Sequence, residues 1–149
     1  IEVDDYSNSI DEDLNKPTEE KFTITLFMDE SLGDVTRINP FFFNRIKENP
    51  FKLKERFYPV DFAFPRSNMY NLSLQIPDNY TITNIPESKA FALPNKGGVF
   101  SITYHKTNNT INLFIRMSIK KRIYSSAEYY YLKQYVSVLL FLDILVKRL

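Results

Sequence analysis

Apolar and polar residues alternate most cleanly over Met69–Ile76. Tyr70, Leu72, Leu74 and Ile76 share one side, and Asn71, Ser73 and Gln75 take the other. A period of two is the mark of a half-buried strand. The same period recurs in Val99–Lys106, where Phe100, Ile102 and Tyr104 alternate with Ser101 and Thr103. It recurs again in Ile111–Ile123, where Ile111, Leu113, Ile115, Met117 and Ile119 oppose Asn112, Arg116, Ser118 and Lys120, with Phe114 out of step. Asn108–Asn109 between these two runs predicts a hairpin turn. Shorter strands are predicted over Phe22–Met28, Val35–Asn39, Phe57–Phe64, Tyr80–Ile85 and Phe91–Leu93, each bounded by proline, glycine or asparagine stops. Pro59 places Phe57–Phe64 at a sheet edge or a strand start. Phe41–Glu48 reads as a helical turn or as an apolar plug.

The pattern changes at Ser125. Ser125–Ser126–Ala127–Glu128 spells a capping box, and neither proline nor glycine follows it to Leu149. A helix over 125–147 is predicted, about 33 Å long at the usual rise. Within it Val136–Val146 is apolar except for Ser137 and Asp143. That run is too short for a membrane span, which takes about 20 apolar residues. A helix apolar on most sides needs more than one covering surface. Helix 136–146 is therefore expected to touch an upstream domain of the same polypeptide or a second copy of the chain. Strands at regular spacing without intervening helices predict a mainly β fold: an antiparallel, Ig-like β-sandwich of about seven or eight strands with one C-terminal α-helix.

Charge divides the chain. Residues 1–20 carry eight acidic groups against Lys16 and sum to −7, leaving +8 on the remainder. With little apolar content, 1–20 reads as an acidic linker ahead of a single domain over 21–149. A length of 149 residues suits one core, and a net charge of +1 gives no sign of nucleic acid binding. The absence of cysteine excludes disulfides, thiolate metal sites and thiol nucleophiles. Ile1 opens an acidic stretch without the basic and apolar regions of a signal peptide, so the chain is expected to be part of a longer protein whose targeting sequence lies upstream.

Candidate chemistry is sparse. His105, the only histidine, lies beside Lys106 near a strand end and reads as an exposed structural residue. No GxSxG, HExxH or glycine-rich phosphate loop is present. Asp29, Glu30 and Asp34 surround Gly33 without the spacing of a calcium loop, so a solvated turn is expected. Arg56 and Asp61 are placed to pair across Tyr58–Pro59. Phe41, Phe42, Phe43, Phe51, Phe57, Tyr58, Phe62 and Phe64 offer either a carbohydrate platform or core; strand-like intervals and the lack of Trp favour core. Lys120, Lys121 and Arg122, with Lys147 and Arg148, read as solvated basic faces rather than lipid or nucleic acid contacts. No catalytic, metal or cofactor-binding residue is assigned, and no cofactor is expected.

Five phrases in order carry a resemblance: DLNKP (13–17), GDVTRINPFFF (33–43), ENPFKLKERFYPVDFAFPRS (48–67), IPDNYTITNIPESKAFALPNKGGVF (76–100) and MSIKKRIYSSAEYYYLKQY (117–135). The chain resembles the C-terminal β-rich domain of bacterial transglutaminase-like proteins, in which that domain follows the enzyme core. The resemblance implies a non-catalytic accessory domain of a larger envelope protein, periplasmic, envelope-associated or secreted. The transglutaminase core uses Cys, His and Asp, and this chain has no Cys to carry that role. The other reading is a glycan- or peptide-binding β-sandwich module. Burial of the Phe41–Phe64 rings favours the scaffold, and a flat exposed cluster of them the binding module.

Overall fold

A computed structural model of the chain describes all residues except 11, 14, 28–33, 43–45 and 141. The described residues fall into two compact units, Ile1–Gly33 and Asp34–Leu149.

The first unit is a hairpin of β1 (Glu2–Ser9) and β2 (Glu19–Thr25). The expected acidic linker over 1–20 is thus corrected: it holds one whole strand and the start of a second. Polar residues on both faces hid the strand period. What supports the pairing is cross-strand contact. Tyr6 lies opposite Phe22 with ring centroids 4.8 Å apart, and Thr25 Oγ1 donates to Asp4 Oδ2 at 2.7 Å.

The second unit is mainly β and carries the core. Its strands are β3 (Val35–Ile38), β4 (Val60–Asp61), β5 (Arg66–Gln75), β6 (Tyr80–Asn84), β7 (Lys89–Leu93), β8 (Gly98–Thr107), β9 (Thr110–Ile119), β10 (Ile123–Tyr124) and β11 (Ile144–Arg148). A helix, α1 (Tyr129–Leu139), follows a 3-10 turn at Ser126–Glu128. Three antiparallel sheets result, ordered β5-β9-β8-β7, β3-β11-β6 and β10-β4. The antiparallel, mainly β fold with one helix near its C-terminus matches the sequence pattern and accords with a sandwich. With β1 and β2, eleven strands are described rather than seven or eight, because the pattern does not reveal short pairings such as β4–β10.

The alternation in β9 is realised as read up to Arg116; beyond it Met117 is half-buried, and Ser118, read as outward, is buried. Ile111, Leu113, Ile115 and Ile119 are buried, while Asn112, Phe114 and Arg116 face solvent. β8 and β9 join through Asn108–Asn109, with Asn108 in the left-handed region at φ 51°. The opposite, core-facing side of the sheet is covered by α1, whose Tyr135 packs edge-on against Phe91 and Phe100. Leu139 lines a small cavity with Phe41, Ile46 and Met117.

The predicted helix over 125–147 is corrected. The capping box forms, but α1 stops at Leu139, and Leu140 N–H donates to Ser137 O in a final tightened turn. The chain then enters β11, the centre of its sheet between β3 and β6. The apolar run Val136–Val146 therefore follows two periods. Leu139 closes the buried side of the helix, and Leu142, Ile144 and Val146 alternate into the core. Two neighbouring strands offer β11 more than further helix would, and tertiary pairing overrides local propensity. Leu140 and Leu145 are half-buried in this chain, and Phe141 lies outside the described residues. No helix of the described residues is long and apolar enough to cross a membrane.

Candidate functional site

The aromatic residues of 41–64 split between core and surface. Phe41 and Phe51 are buried and Phe62 is half-buried. Phe51 packs edge-on against Tyr129 and Phe62, and Phe62 against Tyr124, which welds this segment to α1 and β10. Phe57, Tyr58 and Phe64 are 87%, 79% and 63% exposed. The expectation that all these rings join the core thus fails for three of them. Residues 52–59 form one continuous exposed stretch because only Phe51 and Val60, at its ends, turn inward.

That stretch is pinned on both sides. At its start Phe51 N–H donates to Asn49 Oδ1 at 2.9 Å, an Asx turn. Asn49 Nδ2 reaches Lys133 O and Ser137 Oγ on α1. Tyr129 Oη and Lys133 Nζ both donate to Leu53 O, at 3.2 and 3.0 Å. At its end Val60–Asp61 pairs with β10. Asp61 takes a fork of bonds from Arg122, Nε to Oδ1 at 3.1 Å and Nη2 to Oδ2 at 3.0 Å. Ala63 N–H donates to Asp61 Oδ1 at 2.7 Å, with Ala63 in the left-handed region at φ 67°. The Arg122 guanidinium, then the Ala63 N–H, hold the Asp61 carboxyl below its ordinary range. The expected Arg56–Asp61 pair is corrected: Arg122 takes the carboxylate, because β4 pairs with β10 rather than folding over Pro59.

A second cluster lies where β9 hands over to α1. Glu128, 8% exposed, accepts from Lys121 Nζ, from the Ser125 N–H and hydroxyl at 3.0 and 3.1 Å, and from Asn95 Nδ2 at 3.4 Å. Burial alone raises its carboxyl; the Lys121 ammonium and these hydrogen bonds outweigh it and bring the group down to about 2. Lys121 Nζ also lies 4.9 Å from the Tyr124 ring centroid, and Tyr124 Oη donates to Gly97 O at 2.5 Å. The carboxylate is ringed by donors, so its chemistry is structural: it fixes the start of α1 to the Pro94–Gly97 turn. Tyr104 Oη is buried without a hydrogen-bond partner among the described residues, and burial, with Asp143 adding to it, pushes the phenol up to about 12.

The other sequence candidates stay apart. His105 is exposed on β8 opposite Asn112. Asp29, Glu30 and Phe43 lie outside the described residues. The basic run 120–122 is divided, since Lys121 serves Glu128 and Arg122 serves Asp61. Lys147 and Arg148 end β11 as exposed residues. Among the described residues no group of three or more His, Cys, Asp or Glu is placed to hold a metal ion. The S-x-x-E spacing announced the Glu128 cap, but its Lys121 partner had no signal in the sequence.

No curated protein and no solved structure matches the chain. The family DUF3858, described as a Domain of Unknown Function with solved structure, matches residues 33–139. That span takes in most of the second unit, from the approach to β3 to the end of α1. The chain therefore belongs to the DUF3858 family.

Proposed function

We propose that the chain is a non-catalytic accessory domain, working by protein–protein contact within a larger envelope protein beside a transglutaminase-like core. The observation that carries this reading is the exposure of Phe57 and Tyr58, 87% and 79%, on a stretch anchored at both ends. Two adjacent rings held in water by a fixed frame are poised for burial, and each is worth about 1.5–3 kcal/mol when covered. No ring contact among the described residues joins Phe57, Tyr58 and Phe64 to one another or to other rings. Such a prominence suits a protein surface better than a flat stacking platform. The transglutaminase-like neighbour, the envelope location and the N-terminal position of the partner rest on the sequence resemblance. The saturated Glu128 carboxylate supports the non-catalytic reading.

The test is a two-domain protein carrying the upstream domain. A Phe57→Ser, Tyr58→Ser double variant should unfold its upstream domain several degrees earlier than the parent while leaving this domain's own transition in place. An unchanged upstream transition would overturn the docking role. The same exposed rings favour, as a second reading, a glycan- or peptide-binding module. A glycan or peptide array bound by the wild-type chain and lost in the double variant would select it.

A further inference from the structure

Where β5 and β9 begin and end their ladder, the surface of the four-stranded sheet has an open depression of about 360 Å³ lined by Arg66, Ser67, Arg116, Ser118 and Lys120. Its size sits at the lower end of the roughly 300–1,000 Å³ of small-ligand sites. Strand geometry assembles it. Ser67 lies opposite Ser118 in the β5–β9 register. Arg116 lies two positions before Ser118 on β9, and a period of two brings them to one side; Lys120 follows just past the end of the strand. Arg66 enters from the first position of β5, its guanidinium carbon 5.4 Å from the Phe62 ring centroid. Its register partner is Ile119, so it borders the depression from the sheet's end rather than from the face that carries Ser67.

The electrostatics are one-sided. No carboxylate lines the depression, and three cations do. The neighbouring cations Lys121 and Arg122 are neutralised by Glu128 and Asp61. Arg66, Arg116 and Lys120 form no ion pair with a described residue. The Ser67 hydroxyl makes no hydrogen bond to a described residue, whereas the Ser118 hydroxyl is used by the Val99 backbone. Like charges gathered around one hollow raise the local potential and concentrate an anion there. A guanidinium matches a phosphate as a planar fork, an ammonium adds a point charge, and a hydroxyl adds a neutral donor.

We propose that this depression binds a phosphate-bearing ligand, either a soluble phosphate ester or a lipid headgroup. The proposal does not depend on the docking role of Phe57 and Tyr58, neither of which lines the depression. The test titrates the isotope-labelled full chain with inorganic phosphate and with glycerol 3-phosphate, against sodium chloride at equal ionic strength. Saturable amide shifts should concentrate at Ser67, Arg116 and Lys120. R116Q and K120Q should each weaken binding about tenfold, the size of one charge-assisted bond. K106Q, at the far end of β8, should bind as the parent does. All the substituted side chains are exposed, so thermal unfolding should be unchanged. Sedimentation with phosphatidylcholine vesicles, with and without phosphatidic acid, separates the sources. Vesicle binding that R116Q abolishes assigns the headgroup; binding of the free ester without vesicle binding assigns the soluble ligand. Shifts reproduced by chloride, or unaltered in both R116Q and K120Q, would overturn the site.

Discussion

Gly98 shows how little freedom single positions have in this fold. A Cβ there would lie 2.1 Å from Ser118 O, a backbone atom that cannot swing away. Gly98→Ala should therefore cost about 3 kcal/mol or more, read as a lowered urea midpoint. Glu128 makes a different demand. Its folded value, about 2, is below the ordinary 4.5, so its contribution to stability is complete above about pH 4.5 and is lost as pH falls through 2. Glu128→Gln should cost about 3 kcal/mol at neutral pH, the order expected for breaking a buried pair. Urea titrations at stepped pH should show the gap between the two proteins narrowing below pH 4.5 and closing near 2. A constant gap would mean that the cost lies in packing rather than in the charge. At this scale the sequence spoke unevenly. Ser125 and Glu128 are three residues apart and could be read as a cap. Arg122 and Asp61 are 61 residues apart, and nothing local marks them as partners.

Among the elements, β11 is the one on which others depend. It pairs with β3 on one side and β6 on the other, and Ile144 and Val146 are fully buried. The DUF3858 match ends at residue 139, before this strand begins. A fragment of residues 34–139 would leave β3 and β6 without a central partner and an apolar floor exposed. It should lose cooperative urea unfolding, whereas 34–149 should keep it. A cooperative, native-like transition in the shorter fragment would show β11 to be peripheral. The strand was hard to read because a short apolar run fits a buried helix or a buried strand equally by periodicity. β8 and β9 were readable because polar residues on one face mark the period of two.

At the scale of the whole chain, all the buried apolar residues described lie between Ile38 and Val146. In β1 every residue is exposed, and in β2 only one, Ile24, is half-buried. A two-stranded ribbon without a covered face is marginal in water. Hydrogen exchange should thus be fast across β1 and β2 and slowest at the centre of β9, whose buried residues are paired on both sides. Equal protection in β1 and β9 would contradict this division. Removal of residues 1–33 should leave the β8–β9 amide shifts of the remaining chain in place.

By itself the sequence determined the elements whose information is local: the alternating strands of the four-stranded sheet, the Asn108–Asn109 hairpin, the capped start of α1, and the mainly β class. A period or a cap is written within a few residues, so it can be read without the fold. Tertiary structure alone decided what depends on distant partners. It ended α1 at Leu139, drew Ile144–Arg148 between β3 and β6, gave Asp61 to Arg122, and left Phe57 and Tyr58 in solvent while burying Phe51. It also gathered Arg66, Arg116 and Lys120 around one hollow. Burial and charge pairing are properties of neighbours in space, and most of these neighbours lie tens of residues apart along the chain.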